Sequence, residues 1–286
     1  MTYEHYIGVI DEETVIAECG PMRLCIRAWK KGQPQVEAAR GAAEESLRFL
    51  EQIASCRLLL SRPIPETVRW PKEDLAVQMI TSVKNIGDDD LTPMAAVAGT
   101  IADAVADWLV GQNMDRVIVD NGGDIAIRLK TGETATVGIR PQIDSLEVSH
   151  VLHLDDRRPS WGVTTSGFGG RSLTRGIASA VTVVAATASV ADAAATAIGN
   201  ACLVKDDGIV QMPAERLDPN TDLAGLSVTT EVGELLPEKV LQAIESARQK
   251  AELFSQRKLI RGAFIALQNV FVISDGLTPY IYPNAT

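Results

Sequence analysis

The chain has 286 residues, enough for one large domain or two ordinary ones, with 46% hydrophobic and 22% charged residues, 22 glycines and 13 prolines. That balance excludes a disordered or collagen-like chain and predicts a folded domain with a sizeable core. The net charge of −10, from 27 Lys+Arg against 37 Asp+Glu with no long basic cluster, argues against nucleic acid as the main partner, because phosphate neutralisation supplies most of that affinity.

Residues 1–13 carry four acidic side chains and no basic cluster, so no secretory signal is expected there. Alternation in Tyr6-Ile7-Gly8-Val9 and in Arg23-Leu24-Cys25-Ile26, on either side of Gly20-Pro21, predicts an N-terminal hairpin. Over residues 36–60 the apolar residues Leu47, Leu50, Ala54 and Leu58 recur at helical spacing until Arg62-Pro63-Ile64-Pro65 stops the pattern, which predicts a long amphipathic helix. A shorter helix is expected over 74–83. The acidic stretch Asp88-Asp89-Asp90 then reads as a solvated loop. Thr92-Pro93 supplies an N-cap and a first-turn proline for a helix reaching Gly111. One end of that helix, with Ala95, Ala96, Ala98, Gly99 and Ala102, is nearly free of side chains and open to close approach by a backbone or ligand.

Strands are predicted over 116–129, 134–139, 148–154 and 162–165, and the β-branched run 178–186 suits a central strand. Helices are predicted over 189–203 and over 237–254, where Val240, Ile244, Ala247, Ala251 and Phe254 recur at steps of four and three. Residues 262–282 read as two strands around Gln268-Asn269. Long helices alternating with antiparallel-looking strand groups give the α+β class, and the lack of a repeat or linker argues for a single domain over 1–286. The longest uncharged run, between Arg175 and Asp192, is shorter than a membrane span. No membrane partner is expected, and the chain is placed in the cytoplasm.

Three segments can carry chemistry. In Asn121-Gly122-Gly123-Asp124-Ile125 an apolar strand runs into two glycines whose exposed amides can meet a phosphate or a flavin edge, and the same residues also make an ordinary hairpin turn. Thr164-Thr165-Ser166-Gly167-Phe168-Gly169-Gly170-Arg171, followed by Arg175, combines free amides, hydroxyls and fixed positive charge as an anion-binding loop does; a plain surface loop is the competing reading. Asp192 and Thr196 share one helix face and can offer a carboxylate and a hydroxyl to a hard cation such as Mg²⁺. Ser189, three residues before Asp192, equally makes a capping box that would occupy that carboxylate. Cys19 and Cys25 flank the Gly20-Pro21 turn as a conceivable thiol pair, or as two small buried hydrophobes. No C-x-x-C pair exists, and His5, His150 and His153 are too scattered for an obvious zinc site.

In their order and types these segments resemble the ApbE family, the flavin transferases that move FMN from FAD onto a protein threonine. The resemblance covers about two fifths of the chain, residues 92–200. Ala95-Ala96-Val97-Ala98-Gly99-Thr100-Ile101-Ala102-Asp103 is similar to the family's alanine-lysine-glycine helix with its later aspartate. Asn121-Gly122-Gly123-Asp124-Ile125 is similar to its glycine-glycine-aspartate strand end, and Thr165-Ser166-Gly167 to its serine-glycine-aspartate loop. Ser179-Ala180-Val181-Thr182-Val183-Val184 and Ala191-Asp192-Ala193-Ala194-Ala195-Thr196 are similar to its serine-valine-threonine-valine strand and metal-holding alanine-aspartate helix.

The resemblance implies a tunnelling-fold-related arrangement of antiparallel strands beside long helices. It implies a Mg²⁺ site at Asp192 and Thr196 with backbone carbonyls of Ala95 and Ala195. It also implies an FAD- or FMN-binding pocket lined by Asp103, Gly122, Gly123, Asp124, Ser166 and Gly167. Two departures stand out: Ala98 replaces the family lysine, and residues 168–178 contain no His, Asp or Pro, so the family's histidine-containing segment is absent. With that segment missing the resemblance assigns no catalytic residue and implies a flavin- or nucleotide-binding protein with weak or no transferase activity. The alternatives are a true Mg²⁺-dependent transferase whose activating group is Asp124 or one of Asp88 to Asp90, and an accessory or sulfur-handling protein without flavin chemistry. The shortened pattern is more similar to a divergent cytoplasmic branch linked to sulfur assimilation, notably homocysteine formation, which implies protein partners in sulfur metabolism.

Overall fold

The computed structural model describes residues 4–64, 70–143 and 145–284; Pro65, expected to close the first helical pattern, lies outside them. The chain opens with β1 (His5–Val9), β2 (Val15–Cys19) and β3 (Met22–Lys30), with β4 (Gln33–Pro34) folded back on β3. β1 pairs with β2 and β2 with β3, so the expected hairpin is a three-stranded meander whose second turn uses Gly20 at φ 56°. The middle strand is hard to read because Val15, Ile16, Ala17 and Cys19 are all buried, leaving no alternation.

Next come α1 (Val36–Ser55), the single turn α2 (Arg57–Leu60) and α3 (Asp74–Ile86). The helix predicted over 36–60 breaks at Cys56, whose φ of −99° and ψ of 4° leave the helical region, and Leu58 beyond the break is 83% exposed. A 3₁₀ turn over Pro93–Ala96, its Met94 amide accepted by the Thr92 hydroxyl, leads into α4 (Val97–Gly111). The stretch Pro93–Gly111 is apolar enough to cross a membrane by length and composition, yet half of it is buried, and it packs against α1, α3, β5 and β6.

β5 (Arg116–Asn121), β6 (Asp124–Leu129), β7 (Thr134–Ile139), β8 (His150–Asp155), β9 (Ser160–Ser166) and β10 (Ala180–Ala185) precede α5 (Ala188–Ala201). The hairpin β11 (Ile209–Pro213) and β12 (Ser227–Val232) follows; its short, half-exposed strands gave no sequence signal. The chain ends with α6 (Pro237–Gln256), β13 (Ile260–Leu267), β14 (Val270–Ile273) and the additional short β15 (Ile281–Pro283).

A ten-stranded antiparallel sheet runs β1-β2-β3-β5-β6-β9-β10-β13-β14, with β4 beside β3. One face packs on the helices through Leu24, Ile26, Val119, Val183 and Ile265 against Ala102, Val105, Ala194 and Ala247. Opposite it, Ile127, Trp161, Val184 and Phe264 pack on the three-stranded sheet β15-β8-β7 through Val137, Leu152 and Ile281. The result is an α+β fold in three layers.

Several side chains sit elsewhere than their sequence context suggested. Cys19 packs in the helix-side core with Leu24 and Ile26, whereas Cys25, at odd parity beside Leu24, points to the other face, so the two thiols cannot pair. Asp88 and Asp90 are not simply solvated, since they bind Lys250 at 2.7 Å and Arg175 at 2.5 Å. His150 is wedged between Phe264 and Phe271, and His153 lies against Tyr282.

The sheet and the start of α5 meet closely at Gly162 of β9, where an added Cβ would lie 2.1 Å from the backbone of Thr187. Backbone cannot step aside as a side chain can, so Gly162→Ala is expected to cost about 1–3 kcal/mol by forcing α5 off the sheet. A urea titration checks this, and an unchanged midpoint would show that the junction yields freely.

Candidate functional site

Alternation along β5, β6 and β9 decides which side chains reach the helix face. Val117 and Val119 place Asn121 on that face, Ala126 places Asp124 there, and Thr164 stands opposite Asp124 across the β6–β9 ladder. The turn between β5 and β6 is a hairpin, as its Asn-Gly-Gly suggests, with Gly122 at φ 70° and Gly123 at φ 108°. The Gly123 amide donates to Asp120 at 2.7 Å, and the Gly123 carbonyl accepts from Thr165 at 3.1 Å, which fastens the turn to β9. Above it, the Asn121 amide donates to the Ala98 carbonyl at 3.2 Å, tying the sheet to the first turn of α4.

Asp192 reaches across from α5 and accepts the Gly99 amide of α4 at 3.0 Å. It does not cap its own helix: that role belongs to Thr187, whose hydroxyl accepts the Val190 amide, while Ser189 lies inside the first turn. The capping-box alternative is thereby corrected. Asp192 instead stabilises the start of α4, whose free amides favour a negative charge. Gly99 permits the crossing, because a Cβ there would stand 2.3 Å from the Ala188 carbonyl oxygen.

Asp103 does the reverse. Its carboxylate accepts the Ala188 and Ser189 amides at 3.0 and 2.9 Å and receives Arg128 at 3.0 Å, so it seals the N-terminus of α5 from α4. At 1% exposure its carboxylate is engaged in holding the two helices and Arg128 together. Arg128, which also binds Asp107 at 2.7 Å, was legible as a charged residue inside an apolar strand that must find acids.

Asp124 and Asp192 form no ion pair within the described residues, and each is hemmed in by protein. Burial, then the charge of Asp192, then that of Asp120 hold the Asp124 carboxyl well above the usual carboxylate range, against a hydrogen bond with Thr164 and the nearby Arg171. Burial pushes Asp192 up to about 7, against the Gly99 and Ala98 amides. Two neighbouring carboxylates short of positive charge form a place where a cation is favourable.

Thr196 lies one turn beyond Asp192 on the partly open face of α5, and Ser166 is likewise partly open at the end of β9. Ala95, in the 3₁₀ turn packed on α5, is partly open, and the amide four residues after it, that of Gly99, donates to Asp192. Ala195 does not join this group: it is fully buried mid-helix, where a carbonyl is committed to the amide four residues on. Gly167 packs its backbone on Ser179 and Ala178. Arg171 lies over Gly122, within 3.5 Å of the Asn121 carbonyl, whereas Arg175 is a strut to Asp90. Asn121, Thr164 and Arg171, which the sequence offered only inside longer motifs, stand beside Asp124 and the glycine turn.

Among curated proteins, a UPF0280 protein of Methanococcus maripaludis strain C7 is 38% identical over 148 residues, 50% of this chain and 59% of that one. A UPF0280 protein of Methanococcus vannielii is 31% identical over 195 residues, 67% of this chain and 77% of that one. The chain thus spans little more than half the length of the first of these relatives. In fold it is similar to the flavin transferase ApbE of Vibrio cholerae, with a TM-score of 0.53 at 13% identity over 97% of this chain and 99% of that one. A similar match is the apo flavinyl transferase ApbE of Pseudomonas stutzeri, with a TM-score of 0.52 at 13% identity over 97% and 96%. The family profile described as AbpE bacteria matches residues 9–275, nearly the whole chain, and the protein therefore belongs to this ApbE-like family.

Proposed function

We propose that the cleft between the β5–β6 turn, the end of β9 and the α4–α5 pair binds a flavin nucleotide, FAD or FMN, together with Mg²⁺, and that the chain transfers FMN weakly or not at all. The observation that carries this reading is the pair Asp124 and Asp192, two close carboxylates with no ion-pair partner among the described residues. A hard divalent cation suits that donor set, and Asp192, Thr196, Asp124 and the Ala95 carbonyl would hold it. Bound Mg²⁺ would supply positive charge for the phosphates. This chain's own residues do the rest: the Gly122 amide and Ser166 orient the phosphates, and Arg171 adds fixed charge beside them.

Weak transfer follows from residues 168–178, which hold no His, Asp or Pro to take a proton from an acceptor hydroxyl. A place in sulfur assimilation, with protein partners there, rests on the family resemblance and gains nothing from Cys19 and Cys25, which point to opposite faces.

Calorimetric titration with FAD, FMN and ADP, with and without Mg²⁺, tests the reading. Mg²⁺-dependent binding at micromolar concentration is expected, and no binding below the millimolar range under any condition would overturn it. An acceptor threonine peptide incubated with FAD and Mg²⁺ should gain little or no FMN mass; rapid stoichiometric labelling would restore the full transferase reading.

A further inference from the structure

At the other end of the sheet lies a second concavity that the flavin reading does not use. β10 pairs with Ser166 near its first residues and with Gly162 at Ala185, and beyond Ala185 the chain borders a cavity of ≈ 410 Å³. Arg158 from the β8–β9 turn, Ser255 and Lys258 from the end of α6, Arg261 from β13, and Tyr280 surround it.

Its charge is one-sided. Arg158, Lys258 and Arg261 form no ion pair among the described residues, although the neighbouring Arg157 does, with Asp155. The C-terminus of α6 points here and offsets only about half a positive charge. Arg261 lies over the Trp161 ring, 5.0 Å from its centroid. That stacking aims the fork, yet its Nε is buried without a hydrogen-bond partner, as is the Ser255 hydroxyl at the same wall. The Nε atoms of Arg27, Arg116 and Arg175 are left the same way elsewhere in the fold, so what sets this wall apart is the Ser255 hydroxyl beside an Arg261 that has no ion pair among the described residues. Lys258 holds φ 60° in the turn that stops α6, where its amide donates to the Ser255 carbonyl and the Leu259 amide to the Phe254 carbonyl, so its backbone position beside the cavity is fixed by the helix end. Burial and the charge of Arg158 both push the Arg261 guanidinium toward losing its proton, a burden that a bound anion lifts.

We propose that this cavity is an anion site that takes a phosphorylated small molecule. Arg158, Lys258 and Arg261 would surround the phosphate, and Ser255 would donate a hydrogen bond to it. A guanidinium fork, an ammonium and a hydroxyl suit tetrahedral phosphate oxygens, and the volume leaves room for an attached group.

The test is calorimetric titration of the full chain with inorganic pyrophosphate, without Mg²⁺ and at low salt. Saturable one-to-one binding is expected that weakens steeply with salt, falls at least tenfold in the double variant Arg158→Gln/Lys258→Asn, and falls about threefold or more in Ser255→Ala. Arg158 and Lys258 are exposed and asparagine accepts the left-handed turn, so the double variant should melt as the parent does without ligand. Asp192→Asn should leave pyrophosphate binding unchanged, which separates this site from the flavin cleft. Absence of saturable binding, equal affinity in both cavity variants and the parent, or loss confined to Asp192→Asn would overturn the proposal.

Discussion

Asp103→Ala should lower the unfolding free energy by about 3–5 kcal/mol, among the largest losses available from one polar side chain. Three effects add. The Arg128 guanidinium, with a side chain only 10% exposed, loses one of its two carboxylates. The first-turn amides of Ala188 and Ser189 lose their acceptor in a buried setting, and Gln78 loses a weaker partner at 3.4 Å. Removing one partner of a buried pair leaves the other's desolvation uncompensated, so the cost exceeds what the pair adds to stability. Asp103→Asn should cost less, because its amide oxygen still accepts a helix amide although the charge facing Arg128 is gone. Replacing both members, Asp103→Leu with Arg128→Met, should recover part of the loss. Urea unfolding of the three variants gives the answer. A loss under about 1 kcal/mol for Asp103→Ala would show that α5 does not depend on α4 for its cap.

The second large effect concerns Asp192 and takes the form of a pH dependence. In the unfolded chain an aspartate titrates near 3.9; in the fold Asp192 is pushed up to about 7. Folding therefore disfavours its charged form. The contribution is most favourable below about pH 4, where the group is protonated in both states, and is lost as pH rises from there to about 7. Other acids act in the opposite sense, Asp115 and Asp155 being held low by hydrogen bonds and cations, so the comparison must be made against Asp192→Asn. Without metal the two proteins should be equally stable near pH 4. At pH 7.5 the variant should be more stable, by on the order of 1–4 kcal/mol. Adding Mg²⁺ and FAD should reverse the ranking, because only the parent gains a charged ligand to the cation. Parallel stability profiles from pH 4 to 8 would remove the burial argument, and equal melting shifts with Mg²⁺ and FAD would remove the metal assignment.

These two aspartates show how far local pattern reaches. The spacing of Asp192 and Thr196 and their shared helix face could be read directly, and the structure keeps both on the partly open side of α5. The partner of Asp192 could not be read, because the capping box from Ser189 is a local rule and the amide that it binds belongs to Gly99, 93 positions away. The partners of Asp103 could not be read for the same reason. Its motif resembles a pocket aspartate; β6 brings Arg128 beneath it and α5 starts above it, and these contacts engage the carboxylate. The thiol pair failed on parity alone: six positions apart across a turn, Cys19 and Cys25 look adjacent until the register places Cys19 opposite Met22 and Cys25 opposite Ile16.

By itself the sequence determined the α+β class, the helices now numbered α1, α3, α4, α5 and α6, the central strand β10, and the glycine turn between β5 and β6. It could do so because helical periodicity, β-branched runs and glycine punctuation act within a few residues. Only the tertiary structure decided that the helices cover one face of a ten-stranded sheet and a smaller sheet the other, and that α4 and α5 cap each other through Asp103 and Asp192. The same holds for the pairing of Asp124 with Asp192 and for the gathering of Arg158, Lys258 and Arg261 around one cavity. The physical reason is that charge and backbone amides interact through space, and which of them meet depends on strand register and helix crossing, neither of which is written in any short stretch of chain.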